Sequence, residues 1–287
     1  ALLPGTLGLR FEDALARLLP RFGVPLERRW VATPAGRVHY LVAGEGPCVV
    51  LLHAGFGGAG NWYRTLGPLS RHCRVLAPDR PGYGLSEGAP DVEPIAWLPA
   101  LAAAEGPLAA LVGHVAGGAV ALQYVAARPG EVRALALGDL ELAAPGFTSP
   151  PDLRRPPPLR SVARWCASVG VCFDDRRLLA PEYLHYLWCL QQLRPGQDQR
   201  PPGDATPGPV PLPAAGERTW PARPLLLIWG RGNRWTPPGL ARELHARIPD
   251  ARLVVIEHSK GMPQLEQPGE YNYAVINFLR RALADTG

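Results

Sequence analysis

Apolar residues recur at helical spacing over 8–22, where Leu9, Phe11, Leu15, Leu18 and Leu19 share one stripe. That spacing predicts an N-terminal helix packed on the outside of a core or near a pocket mouth. Residues 27–43 read as a hairpin, with its turn at Pro34-Ala35-Gly36. Short apolar runs follow at 48–53, 73–78, 108–113, 132–138, 224–229 and 252–257, each bounded by Gly, Pro or Asp. Runs of that length and character read as buried parallel strands. Helical segments are expected between them, at 60–71, 92–104, 116–128, 237–248 and 268–284. The alternation predicts an α/β fold with a mostly parallel central sheet covered by helices on both faces.

From Ala144 to Pro221 this rhythm breaks. Proline is dense there, including Pro156-Pro157-Pro158 and Pro201-Pro202. Proline fixes φ and removes a backbone donor, so regular structure is interrupted. Two helical patches are expected inside the interval, over 159–169 and 176–193. The second carries Tyr183, Tyr186, Leu187, Trp188 and Leu190, an aromatic face wide enough to roof a pocket. The expected organisation is a core domain of 1–143 and 222–287, with 144–221 inserted as a Pro-rich helical lid.

Composition narrows the partners. A chain of 287 residues suffices for one large α/β domain with an insert. No apolar run reaches the roughly eighteen residues needed to cross a bilayer, and the start Ala1-Leu2-Leu3-Pro4 does not read as a signal peptide. The expectation is therefore a cytoplasmic protein without a membrane partner. The formal net charge is +5, almost all of the cations are arginine, and Lys260 is the only lysine. The arginines are interleaved with acids instead of gathered in a stripe, which argues against a nucleic-acid partner. Cys48, Cys73, Cys166, Cys172 and Cys189 lack metal-ligand spacing, and free thiols are expected, although Cys166 and Cys172 are spaced so that they could pair. No metal or cofactor is expected, and Gly55-x-Gly57 is too short a pattern for dinucleotide binding. A homo-oligomer stays open.

Residues 108–118 carry the most informative motif. Leu-Ala-Ala-Leu-Val-Gly113-His114-Val115-Ala116-Gly117-Gly118 has the setting of a strand–turn–helix nucleophile elbow, Gly-x-Ser-x-Gly, with Val115 in place of the serine. Around it the chain resembles the α/β-hydrolase family. Leu51-Leu52-His53-Ala54-Gly55-Phe56-Gly57-Gly58 is similar to the family's oxyanion-hole segment. Pro78-Asp79-Arg80-Pro81-Gly82-Tyr83-Gly84-Leu85-Ser86 is similar to its Asp-x-x-Gly-x-Gly-x-Ser turn. Leu227-Ile228-Trp229-Gly230-Arg231-Gly232-Asn233 resembles strand seven and the loop that ends in the catalytic aspartate. Met262-Pro263-Gln264-Leu265-Glu266-Gln267-Pro268 resembles the segment after the catalytic histidine. The resemblance spans most of 27–284 in the right order.

The same resemblance places the family's serine at Val115, its aspartate at Asn233 and its histidine at Gly261, or at Met262 with a one-residue gap. None of these side chains supplies the nucleophile, base or orienting carboxylate of a serine hydrolase. The ligand site of an open α/β sheet lies beyond the carboxyl ends of the strands, so it should be bordered by the loops at 53–57, 79–84, 114–116, 139–143, 231–236 and 258–263. Backbone donors of Ala54, Gly55 and Ala116 are expected to form an oxyanion cradle. Asp139 is the first candidate for acid–base work, followed by His114 and His258. Val115, Asn233, Trp62, Trp188, Tyr183, Trp235, Gly261 and Met262 are expected to line the pocket. His53 reads as a buried strand-end residue and Asp79 as the organiser of its own turn. Val115 is expected to keep the strained elbow conformation.

These departures make a non-hydrolytic enzyme the expected function. The resemblance implies a cyclase, lyase, isomerase or carbon–carbon bond-forming catalyst on a hydrophobic, polyketide-like metabolite, acting by orientation and oxyanion stabilisation. A non-catalytic ligand-binding or protein-interaction relative is the alternative. A third reading is residual hydrolysis through another nucleophile, for which Ser86 and Ser259 are the available hydroxyls.

Overall fold

The computed structural model describes residues 5–55, 57–143, 173, 175, 179–193, 209–213, 220 and 223–284. The chain opens on α1 (Gly5–Leu18), followed by a short 3-10 turn over Leu19–Phe22. Then come β1 (Glu27–Thr33), β2 (Gly36–Ala43), β3 (Cys48–Leu52), α2 (Leu66–Ser70), β4 (Arg74–Pro78), α3 (Leu98–Glu105), β5 (Leu108–His114), α4 (Ala116–Ala127) and β6 (Ala134–Gly138). A two-residue strand β7 (Leu142–Ala143), α5 (Pro181–Leu193) and β8 (Val210–Pro211) fall within or beside the Pro-rich interval. The alternation resumes with β9 (Leu225–Gly230), α6 (Pro238–Arg247), β10 (Arg252–Ile256), α7 (Pro263–Glu266) and α8 (Pro268–Ala284).

Eight strands form one sheet in the order β1-β2-β4-β3-β5-β6-β9-β10. The β1–β2 and β2–β4 pairs are antiparallel and every other pair is parallel. The expected hairpin and all six expected parallel strands are present, with ends within a residue or two. The expected helix over 60–71 is instead a 3-10 turn at Ala59–Trp62 and the short α2, and that over 92–104 is a 3-10 turn at Pro94–Ala96 followed by α3. Prolines begin several helices, at Pro181, Pro238, Pro263 and Pro268, where the missing N–H has no intrahelical partner to lose.

Alternation along the parallel strands builds two cores. Val49, Leu51, Ala110, Val112, Leu226 and Ile228 face one side, packed with α1, α5 and α8 through Phe11, Leu15, Tyr183, Tyr186, Tyr271 and Val275. Val50, Leu52, Leu111, Leu135, Leu137, Leu227 and Trp229 face the other, against α3, α4 and α6. A strand buried on both faces needs apolar residues at consecutive positions, and β5 is buried at every residue.

Of the two helices expected in the Pro-rich interval, the second is α5. The expected helix over 159–169, the proline clusters at 156–158 and 201–202, and Cys166 and Cys172 lie outside the described residues. Cys48, Cys73 and Cys189 are free and buried.

Candidate active site

The elbow is built by close packing at glycines. A Cβ on Gly113 would stand 2.5 Å from the Gly117 carbonyl oxygen, and one on Gly117 would overlap the Leu52 carbonyl. Only residues without side chains let α4 leave β5 this tightly. Val115 sits at the apex with φ 50° and ψ −116°. That region costs a β-branched residue on the order of 1–3 kcal/mol. Its backbone is pinned on both sides: Val115 N–H donates to Gly138 O at 2.9 Å, and Val115 O accepts from Gly118 N at 2.9 Å. Ala116 is the first residue of α4, so its N–H has no intrahelical acceptor. Val115 itself is partly exposed.

Opposite Ala116 lies the loop after β3. His53 is fully buried, with Nδ1 2.5 Å from Ala54 O and Nε2 accepting from Arg80 N–H at 2.9 Å. Those partners fix the Nδ1–H tautomer. Burial, and secondarily the Arg80 charge, push its pKa down to about 3, so the ring is neutral and acts as a brace for the loop. Gly55 is partly exposed, and a Cβ built there meets nothing within 4 Å among the described residues. Of the expected cradle positions Gly55 alone keeps partial exposure, while Ala54 and Ala116 are 1 % and 2 % exposed.

Asp79 organises the neighbouring turn, as its sequence context implies. It accepts from Ala59 N at 2.7 Å, Leu85 N at 3.0 Å and His39 Nδ1 at 2.8 Å. Burial pushes the carboxyl up, yet the His39 and backbone hydrogen bonds outweigh it and hold the pKa below the ordinary aspartate value. Ser86 donates to Asp79 O, and Ser259 donates to Glu266 Oε2 at 2.9 Å. Both hydroxyls are buried and tied to structure, so neither stands in for an elbow nucleophile.

The ends of β5, β6 and β9 bring Asp139, His114 and Asn233 together. Asp139 Oδ1 accepts from Gly230 N at 3.0 Å and from Asn233 Nδ2 at 2.8 Å. Asp139 Oδ2 lies 3.6 Å from His114 Nε2. Asn233 differs from expectation. Its Oδ1 accepts from Trp235 N and Thr236 N at 2.9 and 3.0 Å, and it is 5 % exposed. The side chain is committed to the loop and to Asp139, not to orienting a ligand.

His258 also differs. It is exposed at φ 51°, and its carbonyl accepts from Gln267 Nε2. The turn after β10 aims it outward, because the inward positions of that loop belong to Ser259, Gly261 and Met262, all buried. Glu266, which the sequence motifs do not single out, closes this loop by accepting from Ser259 Oγ, Lys260 N and Met262 N. The chain does carry a signal for it: an acid four residues after Met262, at the end of a short helix.

Several expected pocket walls are core residues. Trp62, Tyr183 and Met262 are at most 1 % exposed. The Tyr183 ring packs at a 31° tilt against Tyr63, 5.0 Å between centroids, and its hydroxyl donates to Asn61 Oδ1 at 2.5 Å, while Tyr186 accepts from Gly60 N. The aromatic face of α5 thus binds that helix to the Ala59–Trp62 segment, and Arg21 pairs with Glu182 at 2.8 Å on its rim. Trp188 and Trp235 keep partial exposure. Tyr271 on α8 is a residue that the motifs do not mark. It is fully buried, and its place with Val275 and Phe278 on one helical stripe is the available clue. Burial and then the Asp139 charge push its hydroxyl pKa up.

Among the described residues no group of three or more His, Cys, Asp or Glu is placed to hold a metal, and no helix is long and apolar enough to cross a membrane.

A sequence model of the alpha/beta hydrolase family matches residues 49–274. A 2-hydroxy-6-oxo-6-phenylhexa-2,4-dienoate hydrolase of Burkholderia cepacia is 29% identical over 271 residues, covering 85% of this chain and 91% of the relative. The crystal structure of carboxylesterase CesB from Bacillus subtilis superposes with a TM-score of 0.83 at 21% identity, covering 96% of this chain and 99% of the other. A point mutant of the meta-cleavage product hydrolase CumD superposes with a TM-score of 0.70 at 21% identity, covering 88% of this chain and 98% of the other. These relatives are named as hydrolases. That finding overturns the expectation of a non-hydrolytic cyclase, lyase, isomerase or bond-forming catalyst in secondary metabolism, and equally that of a non-catalytic pseudo-hydrolase.

Proposed function

This chain belongs to the alpha/beta hydrolase family, and from that premise we propose that it hydrolyses a small, largely apolar carbonyl compound held at the elbow. The observation that carries the reading is the conformation of Val115, φ 50° and ψ −116°, which keeps the strained turn and brings the start of α4 against the end of β3 at Leu52 and His53. Strain of that kind persists only where the surroundings over-determine it. Its chemical use is to aim backbone N–H groups at an oxygen that becomes negative as a carbonyl carbon turns tetrahedral.

Substrate chemistry follows from the relatives. The Burkholderia cepacia enzyme is named for a compound with a ketone beside a phenyl ring. We extend that class to this chain: an oxo compound or ester with an apolar group next to the reacting carbonyl.

The reaction runs without an acyl-enzyme. Val115 has no nucleophilic atom, and the positions that resemble the family's aspartate and histidine hold Asn233 and either Gly261 or, with a one-residue gap, Met262. The attacking group is then water. An oxyanion cradle with substrate binding supplies roughly 10³–10⁴-fold over the uncatalysed reaction when a triad is missing.

The test is turnover of 2-hydroxy-6-oxo-6-phenylhexa-2,4-dienoate and a panel of aryl esters by purified protein, with intact-mass analysis of quenched samples. Product formation with no acyl adduct on the protein is expected, and fluorophosphonate should not inhibit it. Failure to exceed the protein-free rate on every compound overturns the hydrolase reading. An acylated protein overturns the water pathway.

A further inference from the structure

Beneath the elbow lies a buried polar cluster of His114, Asp139 and Tyr271. His114 closes β5 on the same face as Ala110 and Val112, the face covered by α8. Its register partner on β6 is Gly138, and a Cβ there would come within 3.4 Å of His114 Cδ2. The missing side chain leaves the space that the imidazole fills. Asp139 follows at φ 46°, a left-handed turn that swings its carboxylate back toward His114. His114 is 0 % and Asp139 1 % exposed.

Both ring nitrogens of His114, Oδ2 of Asp139 and the Tyr271 hydroxyl are buried and have no hydrogen-bond partner among the described residues. An unsatisfied buried polar atom costs about 1–3 kcal/mol, so concentrating several at one point needs a reason. The 3.6 Å between His114 Nε2 and Asp139 Oδ2 is too long for a direct hydrogen bond. It suits two groups gripping one small polar molecule from the same side. Asp139 meanwhile cannot swing away, because Gly230 N and Asn233 Nδ2 hold its other oxygen. The cluster is joined to the elbow by the Val115 N–H to Gly138 O bond.

We propose that His114 and Asp139 form an acid–base dyad that holds and deprotonates the hydrolytic water of this site. The proposal rests on the hydrolase reading above and names the group that replaces the triad's base. The water oxygen bonds to the carbonyl carbon while its proton passes to the dyad. The carbonyl electron pair moves to the oxygen under the Ala116 and Gly55 amides. Collapse restores the carbonyl and breaks the bond to the leaving group, which takes the proton back from the dyad. One water is consumed, an acid and a protonated leaving group are released, and the protein returns to its starting charge. Asn233 is a positioning residue acting through Asp139.

The experiment uses the whole chain and whichever compound of the panel it turns over. Asp139→Asn and His114→Asn should each lower kcat by about 10²–10⁴-fold, the usual contribution of a general base, with KM changed far less. Wild-type kcat should fall in D₂O, because a water proton is in flight in the transition state. In ¹⁵N-histidine-labelled protein, Asp139→Asn should shift the His114 ring resonances while leaving those of His53 in place. That readout checks folding and pairing together. Unchanged kcat in both variants overturns the dyad and leaves the hydrolase reading intact. So does a D₂O effect near unity, or a His114 signal that ignores Asp139→Asn. If wild-type protein turns over nothing in the panel, both readings fall.

Discussion

Asn233 donates its Nδ2 to Oδ1 of Asp139 at 2.8 Å, joining the tip of β9 to the tip of β6. An amide at 233 and an acid at 139 are complementary, and two acids here would not be. Asn233→Asp removes the donor and sets two buried carboxylates against each other, so one of them must hold a proton. Its folded-state pKa is then raised above the unfolded value, and the penalty grows as pH rises through the ordinary carboxylate range. The expected loss is about 3 kcal/mol at pH 8, the scale of an uncompensated buried charge, shrinking toward pH 4. Urea unfolding at the two pH values measures it. Equal midpoints at pH 8 for variant and parent would mean that the two side chains do not share a charge environment.

Val115 holds φ 50° under a partly exposed β-branched side chain. Val115→Gly relieves backbone strain of about 1–3 kcal/mol and adds back up to about 1 kcal/mol of unfolded-chain entropy. Strain is the larger figure, so the variant should be more stable by about 1 kcal/mol, read as a higher midpoint in thermal or urea unfolding. Val115→Ser tests the chemistry separately. A hydroxyl at the apex with glycine at 261 has no base above it, and fluorophosphonate labelling should stay at background. Strong labelling of Val115→Ser would mean that a base reaches the apex hydroxyl in spite of glycine at 261.

The scaffold is legible in the sequence because its signals are local. Each central strand is a consecutive apolar run, and the elbow is marked by Gly113, Gly117 and Gly118 at fixed spacing. The site is less legible because its roles depend on side-chain direction. Asn233 reads as a ligand contact from its position alone, and its three hydrogen bonds show otherwise. His258 sits within three residues of Gly261 and still points outward, since φ 51° reverses the chain there. The 3.6 Å meeting of His114 with Asp139 needs the pairing of β5 with β6 and a glycine at 138. Those residues are adjacent only through the sheet. The expected non-hydrolytic function fails for another reason: it rests on three single positions, and the relatives that match over most of the chain are named as hydrolases.

His53 gives the molecule a pH dependence of known sign. Its pKa is lowered to about 3 by burial and by Arg80. The unfolded chain therefore binds a proton near pH 6.5 that the folded chain refuses. Stability should fall as pH drops from that value toward 3, by about 1.4 kcal/mol per unit in the steep part. Asp79 adds to the slope at the acid end, because its lowered pKa makes its contribution vanish as pH falls through that value. His53→Gln keeps a polar side chain but cannot titrate. Its urea midpoint should be lower at pH 7 and flatter between pH 6.5 and 4. A parallel pH profile in the variant would assign the slope to other groups.

One carboxylate oxygen gathers three donors of the loop carrying Gly261. Glu266 Oε2 accepts from Ser259 Oγ and Lys260 N at 2.9 Å each and from Met262 N at 3.4 Å, with Glu266 3 % exposed. Hydrogen bonds to a charged acceptor contribute about 1.5–3 kcal/mol each at most, and donors left buried add their own desolvation penalty. Glu266→Ala should then lose about 2–4 kcal/mol, a sum held down by the length of the third bond and by loop relaxation. Glu266→Gln keeps an acceptor in place without the charge and should lose about half as much. Hydrogen exchange at the Lys260 and Met262 amides separates a loop effect from a global one. Both amides should exchange much faster in Glu266→Ala under native conditions, while amides of β5 keep their protection. If those two amides stay protected in Glu266→Ala, the backbone alone holds the loop. The position that resembles the family's histidine would then be rigid for reasons unrelated to Glu266.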